Sequence, residues 1–183
     1  MELIIRSANE NDAEAVRRIY EPCILNTAVT FEYDVPTVDD FAERISSTLK
    51  KYPYLIAEQD GKAIGYAYAG PFHTRAAFAW AAEWSVYIDC NARRMGIGQK
   101  LYTVIEEKLK AMGIVNLYAS IAYTENNDSY LTKDSIEFHK SLGFTKTAHF
   151  NKCGYKFNRW YDLVYMEKII DDRCKVNELD RWK

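Results

Sequence analysis

Between Glu83 and Tyr102 the chain reads EWSVYIDCNARRMGIGQKLY, and the spacing Arg93-x-x-Gly96-x-Gly98 is its most chemically suggestive segment. Val86 and Ile88 alternate with Ser85 and Tyr87 as in a strand. Ile97, Leu101, Val104, Ile105, Leu109 and Met112 recur at helical steps, and Gly113 stands where a helix wants a left-handed residue. A strand, a basic turn and a helix place backbone N–H groups and two guanidinium groups at a helix N-terminus. Four N–H groups there lack intrahelical partners and the macrodipole is positive, so the segment suits phosphate oxygens. Glycines 96 and 98 let the backbone approach a ligand closely. No Gly-Lys-Ser/Thr follows, which excludes a Walker loop, and the third glycine of a dinucleotide fingerprint is missing. The plain alternative is a tight strand-to-helix turn with exposed arginines.

Four other places hold residues with useful chemistry. Glu83 sits in Trp80-Ala81-Ala82-Glu83-Trp84, a mostly apolar strand start. Burial raises a carboxyl pKa toward the range of a general base and strengthens its hold on an ammonium; the alternative is a strand-edge glutamate facing solvent. His139 lies on a segment that ends at Gly143-Phe144, where an imidazole can protonate or relay, or simply complement a helix C-terminus. Arg75 offers a planar fork for a carboxylate, and Phe31 and Tyr33 are candidate pocket walls; ordinary loop packing is the alternative for all three. His73 and His149 carry no motif and read as structural. The cysteines at 23, 90, 153 and 174 have no C-x-x-C spacing and no nucleophile setting, so free thiols are expected and no metal site is predicted.

The elements that must position these groups follow from periodicity and turn chemistry. A strand is predicted near Leu3–Ser7, then an Asn9/Asp12 cap and a helix burying Ala13, Val16, Ile19 and Tyr20. After a loop through Asn26–Tyr33, Thr37 caps a second helix with Phe41, Ile45 and Leu49 as its buried face. Tyr54–Gln59 and Lys62–Ala69 form a hairpin about Asp60-Gly61, and Gly70-Pro71 is expected to break its second strand. Beyond the Glu83 strand and the long helix come a strand near Leu117–Ile121 and a polar loop, Thr124–Asp134. A helix then runs to about Leu142, followed by strands near Thr145–Phe150 and Trp160–Lys168. The charged tail 171–183 reads as a short surface helix or a frayed end. Strands before, between and after helices predict a mixed α/β (α+β) sheet with helices on both faces.

Composition narrows the function classes. The 183 residues suit one domain, and a net charge of −2 without a basic cluster argues against nucleic acid. No apolar run approaches the roughly 18 residues of a membrane span, and Met1–Arg6 is too short for a leader, so a cytoplasmic protein is expected. The fourteen tyrosines favour a pocket with amphipathic walls.

The glycine turn resembles the pyrophosphate-binding signature of the GNAT acetyltransferases, and the element order is that of the GNAT acyl-CoA N-acyltransferase fold. The likeness narrows to the phosphinothricin and methionine sulfoximine N-acetyltransferase branch through several segments. They are Ala28–Glu32, Tyr52–Glu58, Gly65–Phe72, Arg75–Trp80 with Glu83, His139–Phe144 and Gly154–Asp162. The resemblance implies a single GNAT domain over 1–170, with two central parallel strands splayed around the acyl chain of acetyl-CoA. It implies acetyl-CoA as co-substrate and no metal. Arg93, Arg94, Met95, Gly96, Ile97, Gly98 and Gln99 would hold the pyrophosphate, and the backbone of Val86, Tyr87 and Ile88 would lie along the pantetheine arm. Glu83 matches the proposed catalytic glutamate, and His139 the residue facing the CoA sulfur. The implied reaction is direct attack of a neutral amine on the thioester, with donors for the carbonyl oxygen and a proton for the thiolate. The implied substrate is the α-amine of a small amino acid mimicking glutamine, and the implied assembly a homodimer. One segment departs from the branch: Ser135 keeps its spacing to His139, but Asn126 and Asn127 lie too early, as if about five residues were inserted within 124–134. Which asparagine, if any, reaches the pantetheine is left open. Other amines (a polyamine, an aminoglycoside, a protein N-terminus) and a non-catalytic CoA-binding module are the alternatives. Glu83 with His139 favours an enzyme, and Arg75 argues against a polycation.

Overall fold

A computed structural model describes residues 3–171 of the chain. Eleven principal elements follow in order: β1 (Leu3–Ser7), α1 (Ala13–Asn26), α2 (Val38–Leu49), β2 (Tyr54–Gln59), β3 (Lys62–Pro71), β4 (Ala81–Ile88), α3 (Ile97–Ala111), β5 (Asn116–Tyr123), α4 (Asp134–Ser141), β6 (Thr145–Lys156) and β7 (Arg159–Ile169). The strands form one sheet in the order β1-β2-β3-β4-β5-β7-β6. Its pairs are antiparallel except β4 with β5, which are joined through the crossover helix α3. The expected mixed sheet with helices on both faces is therefore the observed one. The tail expected over 171–183 lies, beyond Asp171, outside the described residues.

Two capping boxes start the first two helical segments. Asn9 and Asp12 cap a short 3-10 turn that runs into α1, and Thr37 and Asp40 cap α2. Asp12 does more than cap: its carboxylate also takes a two-pronged bond from Arg6, at 2.9 and 2.7 Å, tying β1 to the helix start. The sheet separates two apolar layers. One packs α3 and α4 against Trp84, Leu117, Ala119 and Val164; the other packs α1 and α2 against Tyr54, Ile56 and Tyr66. In the second layer Tyr20, Tyr54, Tyr66, Tyr68 and Tyr87 stack or meet edge-on at centroid distances of 4.8–6.4 Å. Much of the tyrosine content thus builds core rather than pocket wall.

Three local expectations change. Leu49 is 38% exposed, whereas Phe41 and Ile45 are buried; each four-residue step drifts about 40° around a helix, and after the second step the stripe has left the core. Strand β3 continues through Gly70-Pro71, which pair with Glu83 and Ala82 of β4. Proline is harmless there because its nitrogen faces the same edge as the Ala69 N–H, which already bonds Pro53 ahead of β2. Strand β6 extends to Lys156 because a bulge between Phe150 and Gly154 lets pairing resume. Asp162 supports that bulge by accepting from Lys152 N at 2.7 Å and meeting His149 Nε2 at 2.8 Å.

Asp12 holds three donors from two elements, so its loss strands them together. Asp12→Ala is expected to lower stability by about 1–3 kcal/mol, allowing for the partial exposure of Arg6. Urea unfolding of the variant within error of the native protein would show that the cap is redundant.

Candidate active site

The site begins where pairing stops. β4 and β5 are in register only from Ala81–Glu83 to Asn116–Tyr118, after which the strands part. Residues 84–88 of β4 remain paired to β3 on one edge and offer bare N–H and C=O groups on the other. The opening is a cleft of about 550 Å³, walled by Trp84–Ile88 on one side and Ala119–Ala122 on the other.

The basic turn closes one end of the cleft. Asp89 caps it by accepting from Asn91 N at 3.0 Å and is held by Arg18 at 2.9 Å. Arg94 and Gly96 adopt left-handed backbone, with φ of 64° and 74°, which turns the chain sharply into α3. No side chain caps α3, and its first ladder bond runs from Lys100 N to Gly96 O. The N–H groups of Ile97, Gly98 and Gln99 are therefore unclaimed within the helix. Arg93, Arg94, Gly96, Ile97, Gly98 and Gln99 all line the cleft, and neither arginine forms an ion pair among the described residues. Uncompensated positive charge at a helix N-terminus is an anion site. Met95 is 55% exposed and does not line the cleft. Gly98 has a second duty: a Cβ there would lie 3.0 Å from the Phe138 ring, so its bare face lets α3 and α4 touch.

His139 lines the cleft from α4, buried among Trp84, Phe138 and Phe144 with ring centroids 5.3 Å away in each case. Its Nδ1 lies 2.7 Å from the Ser135 carbonyl oxygen, which can only accept, so Nδ1 carries the proton. Burial drops its pKa to about 4 despite that bond, and at neutral pH the ring is uncharged. In this state Nε2 carries no proton, so of the two roles open to the imidazole, donor or relay, the geometry favours the relay.

Glu83 is the last residue of β4 paired to β5, at the fork itself. Its side chain is on the face opposite Trp84, two residues from the cleft-lining Ser85; it is half-buried and does not itself line the cleft. Burial pushes its carboxyl above the ordinary range, and the neighbouring Tyr165 hydroxyl pulls part of the way back. On the same face Phe72 stacks on Tyr118 at 3.9 Å and meets Tyr165 edge-on at 6.2 Å. The desolvated carboxyl thus stands among aromatic rings beside the end of the cleft.

The remaining expected residues are spread out. Val86, Tyr87 and Ile88 line the cleft. Arg75 is exposed, on the loop that Phe72 anchors, and does not line the cleft. Phe31 and Tyr33 line a separate shallow groove with Glu32 and Arg44. Asn126 and Asn127 stay away from the cleft, whereas Thr132, Asp134 and Ser135 border it. Sequence reasoning missed Cys23, Val29, Ser85, Ser120 and Tyr165. Ala119-Ser120, two small residues in succession between Tyr118 and Ile121, were the available signal for an open strand face.

A cleft between splayed parallel strands, an anion-binding helix start at one end and a desolvated carboxyl at the other is an arrangement for binding an extended phosphorylated carrier beside a base. The comparisons agree with that arrangement. A family model described as an acetyltransferase (GNAT) domain matches residues 5–165. The phosphinothricin N-acetyltransferase of Streptomyces viridochromogenes is 31% identical over 167 residues, covering 91% of this chain and 87% of its own. The L-methionine sulfoximine/L-methionine sulfone acetyltransferase of Salmonella typhimurium is 32% identical over 173 residues, covering 94% and 97%. The solved phosphinothricin acetyltransferase (Pat) of Sinorhizobium meliloti, in complex with AcCoA, superposes with a TM-score of 0.83 at 31% identity over 92% of this chain and 89% of that one. Fold and sequence agree over nearly the whole described length, and the chain belongs to the GNAT acetyltransferase family.

Proposed function

We propose that this acetyltransferase moves the acetyl group of acetyl-CoA to the α-amine of a small amino-acid-like substrate of the phosphinothricin or methionine sulfoximine/sulfone type, by direct attack in a ternary complex. The observation that carries this reading is the fork: the free edge of β4 and the basic start of α3 lead to Glu83, whose burial raises its affinity for a proton. The pyrophosphate lies on the N–H groups of Ile97, Gly98 and Gln99 with Arg93 and Arg94, and the pantetheine arm pairs with β4 as a partial strand. Glu83 holds the substrate ammonium and takes its proton. Arg75 reaches the substrate carboxylate from its loop, Phe31 and Tyr33 border the amine side, and a homodimer in the cytoplasm completes the reading. His139, neutral at Nε2, serves as a relay that must first accept a proton before passing it to the departing thiolate.

A thiol-release assay over phosphinothricin, methionine sulfoximine, methionine sulfone, common amino acids and polyamines tests the substrate class. Turnover confined to polyamines would reject it. In that assay Glu83→Gln is expected to lower turnover at neutral pH by about 10²–10⁴-fold with CoA binding unchanged. Near-native turnover would mean that the amine loses its proton elsewhere. For Arg75, loss of a charge-assisted carboxylate contact of about 1.5–3 kcal/mol should raise the Michaelis constant of Arg75→Ala for a free amino acid by about ten- to a hundred-fold. The methyl ester should be a poor substrate of the native enzyme; equal rates for ester and acid would place the carboxylate elsewhere.

His139 gives a pH-dependent stability that can be read without substrate. The unfolded chain binds this proton near the ordinary value of 6.5 and the folded chain only near about 4, so stability is full above the first value and is lost as pH falls toward the second. The loss should approach roughly 3 kcal/mol, and it should be absent from His139→Gln in urea titrations across that window. A native protein whose stability tracks the variant at every pH would mean that His139 ionises freely.

A further inference from the structure

The loop that departs from the branch, 124–134, is built around one carboxylate. Asp128 Oδ1 accepts from Tyr130 N at 2.7 Å and Leu131 N at 2.8 Å, and Oδ2 accepts from Arg159 Nη1 at 3.0 Å and Tyr161 Oη at 3.1 Å. The first pair shapes the loop; the second ties it to the β6–β7 turn. Tyr130 then stacks on Phe157 at 4.1 Å, with their planes within 7°, and Arg159 lies over the Tyr130 ring at 5.7 Å. Both joined pieces grip one further segment, residues 28–33. From the loop, Tyr130 O accepts from the buried Ala28 N at 3.0 Å. From the hairpin, Lys156 Nζ donates to Thr30 O at 2.9 Å and the Tyr33 hydroxyl donates to Tyr155 O. Gly154 leaves room for the Phe31 ring, which would come within 2.5 Å of a Cβ at that position. The gripped segment reaches the reaction space, because Val29 lines the cleft and packs against the cluster of Ala28, Ala122, Leu131 and Tyr161.

We infer that Asp128 is a positioning residue for the amine substrate: by joining the 124–134 loop to the β6–β7 turn it fixes residues 28–33 beside the cleft. The inference rests on the acetyltransferase reading of the cleft and adds the part of the chain that shapes its amine side. It explains why an insertion next to the cofactor cleft sends no asparagine into it: the added length goes into reaching the hairpin. It also explains the buried Lys156, which has no carboxylate within ion-pairing distance among the described residues and whose ammonium is held on a backbone carbonyl of the gripped segment.

The test compares the native enzyme with Asp128→Ala, Asp128→Asn and Gly154→Ala, using L-methionine sulfoximine as the amine probe and CoA thermal shift as the donor probe. Asp128→Ala should raise the Michaelis constant for the amine about ten-fold, with kcat and the CoA shift changed less than about two-fold. In Asp128→Asn the amide oxygen can still accept the two backbone N–H bonds, but the neutral side chain no longer pairs with the guanidinium, so this variant should recover part of the loss. Gly154→Ala disturbs the grip from the hairpin side and should show the same split even if Asp128→Ala folds poorly. Hydrogen exchange supplies a readout that needs no turnover: amides 28–33 should exchange about ten-fold faster in Asp128→Ala while those of α3 do not. Unchanged exchange in 28–33, or an equal rise in α3, overturns the inference. So does faster exchange in 28–33 with an unchanged Michaelis constant. If the native enzyme acetylates neither L-methionine sulfoximine nor phosphinothricin nor methionine sulfone, the substrate proposal fails, and the exchange data still decide whether Asp128 holds the segment.

Discussion

A strand that loses its neighbour must find other partners for its backbone, and this demand organises the molecule. β4 begins beside β5 and is abandoned by it after Glu83. Each N–H or C=O left on that edge is worth a hydrogen bond when paired and costs desolvation when covered without one. The fold keeps the edge open rather than closing it. The chain must pass from β4 through a long helix to reach β5, and small residues at 119 and 120 keep the facing strand low. The seam between the parallel strands is thus a line inside the sheet where an extended, amide-bearing molecule can be added without displacing a strand.

Electrostatics divides this line into ends with opposite preferences. At the α3 end, two arginines without ion-pair partners among the described residues and a helix start without a side-chain cap leave positive potential uncompensated. At the fork, aromatic rings and the sheet desolvate Glu83, so its carboxyl favours a nearby proton or ammonium. Between them His139 is kept neutral by burial, which avoids a third charge in the middle of an apolar wall. Asp89 behaves in the opposite way: that carboxylate is also shielded, but Arg18 and the Asn91 N–H hold it below the ordinary range, where it serves as a hinge pin for the basic turn.

Much of this was legible in the sequence because it depends on local chemistry. Capping pairs at Asn9/Asp12 and Thr37/Asp40, the Asp60-Gly61 turn, the stripe of α3 and the glycine-arginine turn are each set by a few neighbouring residues. What escaped depends on partners distant in the chain. Nothing local to Asp128 announces Arg159 and Tyr161, and Pro71 reads as a breaker until its neighbour strand is known to have ended. Tyrosine content misled for the same reason: a ring says that it will pack, not whether the far side is helix or ligand.

The contact between Gly98 and Phe138 bears on how such motifs are interpreted in mutational and evolutionary data. The glycine belongs to the anion-binding turn, yet its missing side chain is matched to a ring on the helix that carries His139. Intolerance at this position therefore has two independent sources, and a scan of substitutions would register helix spacing before it registered any ligand. Positions 98 and 138 are coupled in this way, so a lineage that traded the glycine for alanine would have to shift the facing ring by a few tenths of an ångström, and that adjustment would have to be separated from any loss of binding.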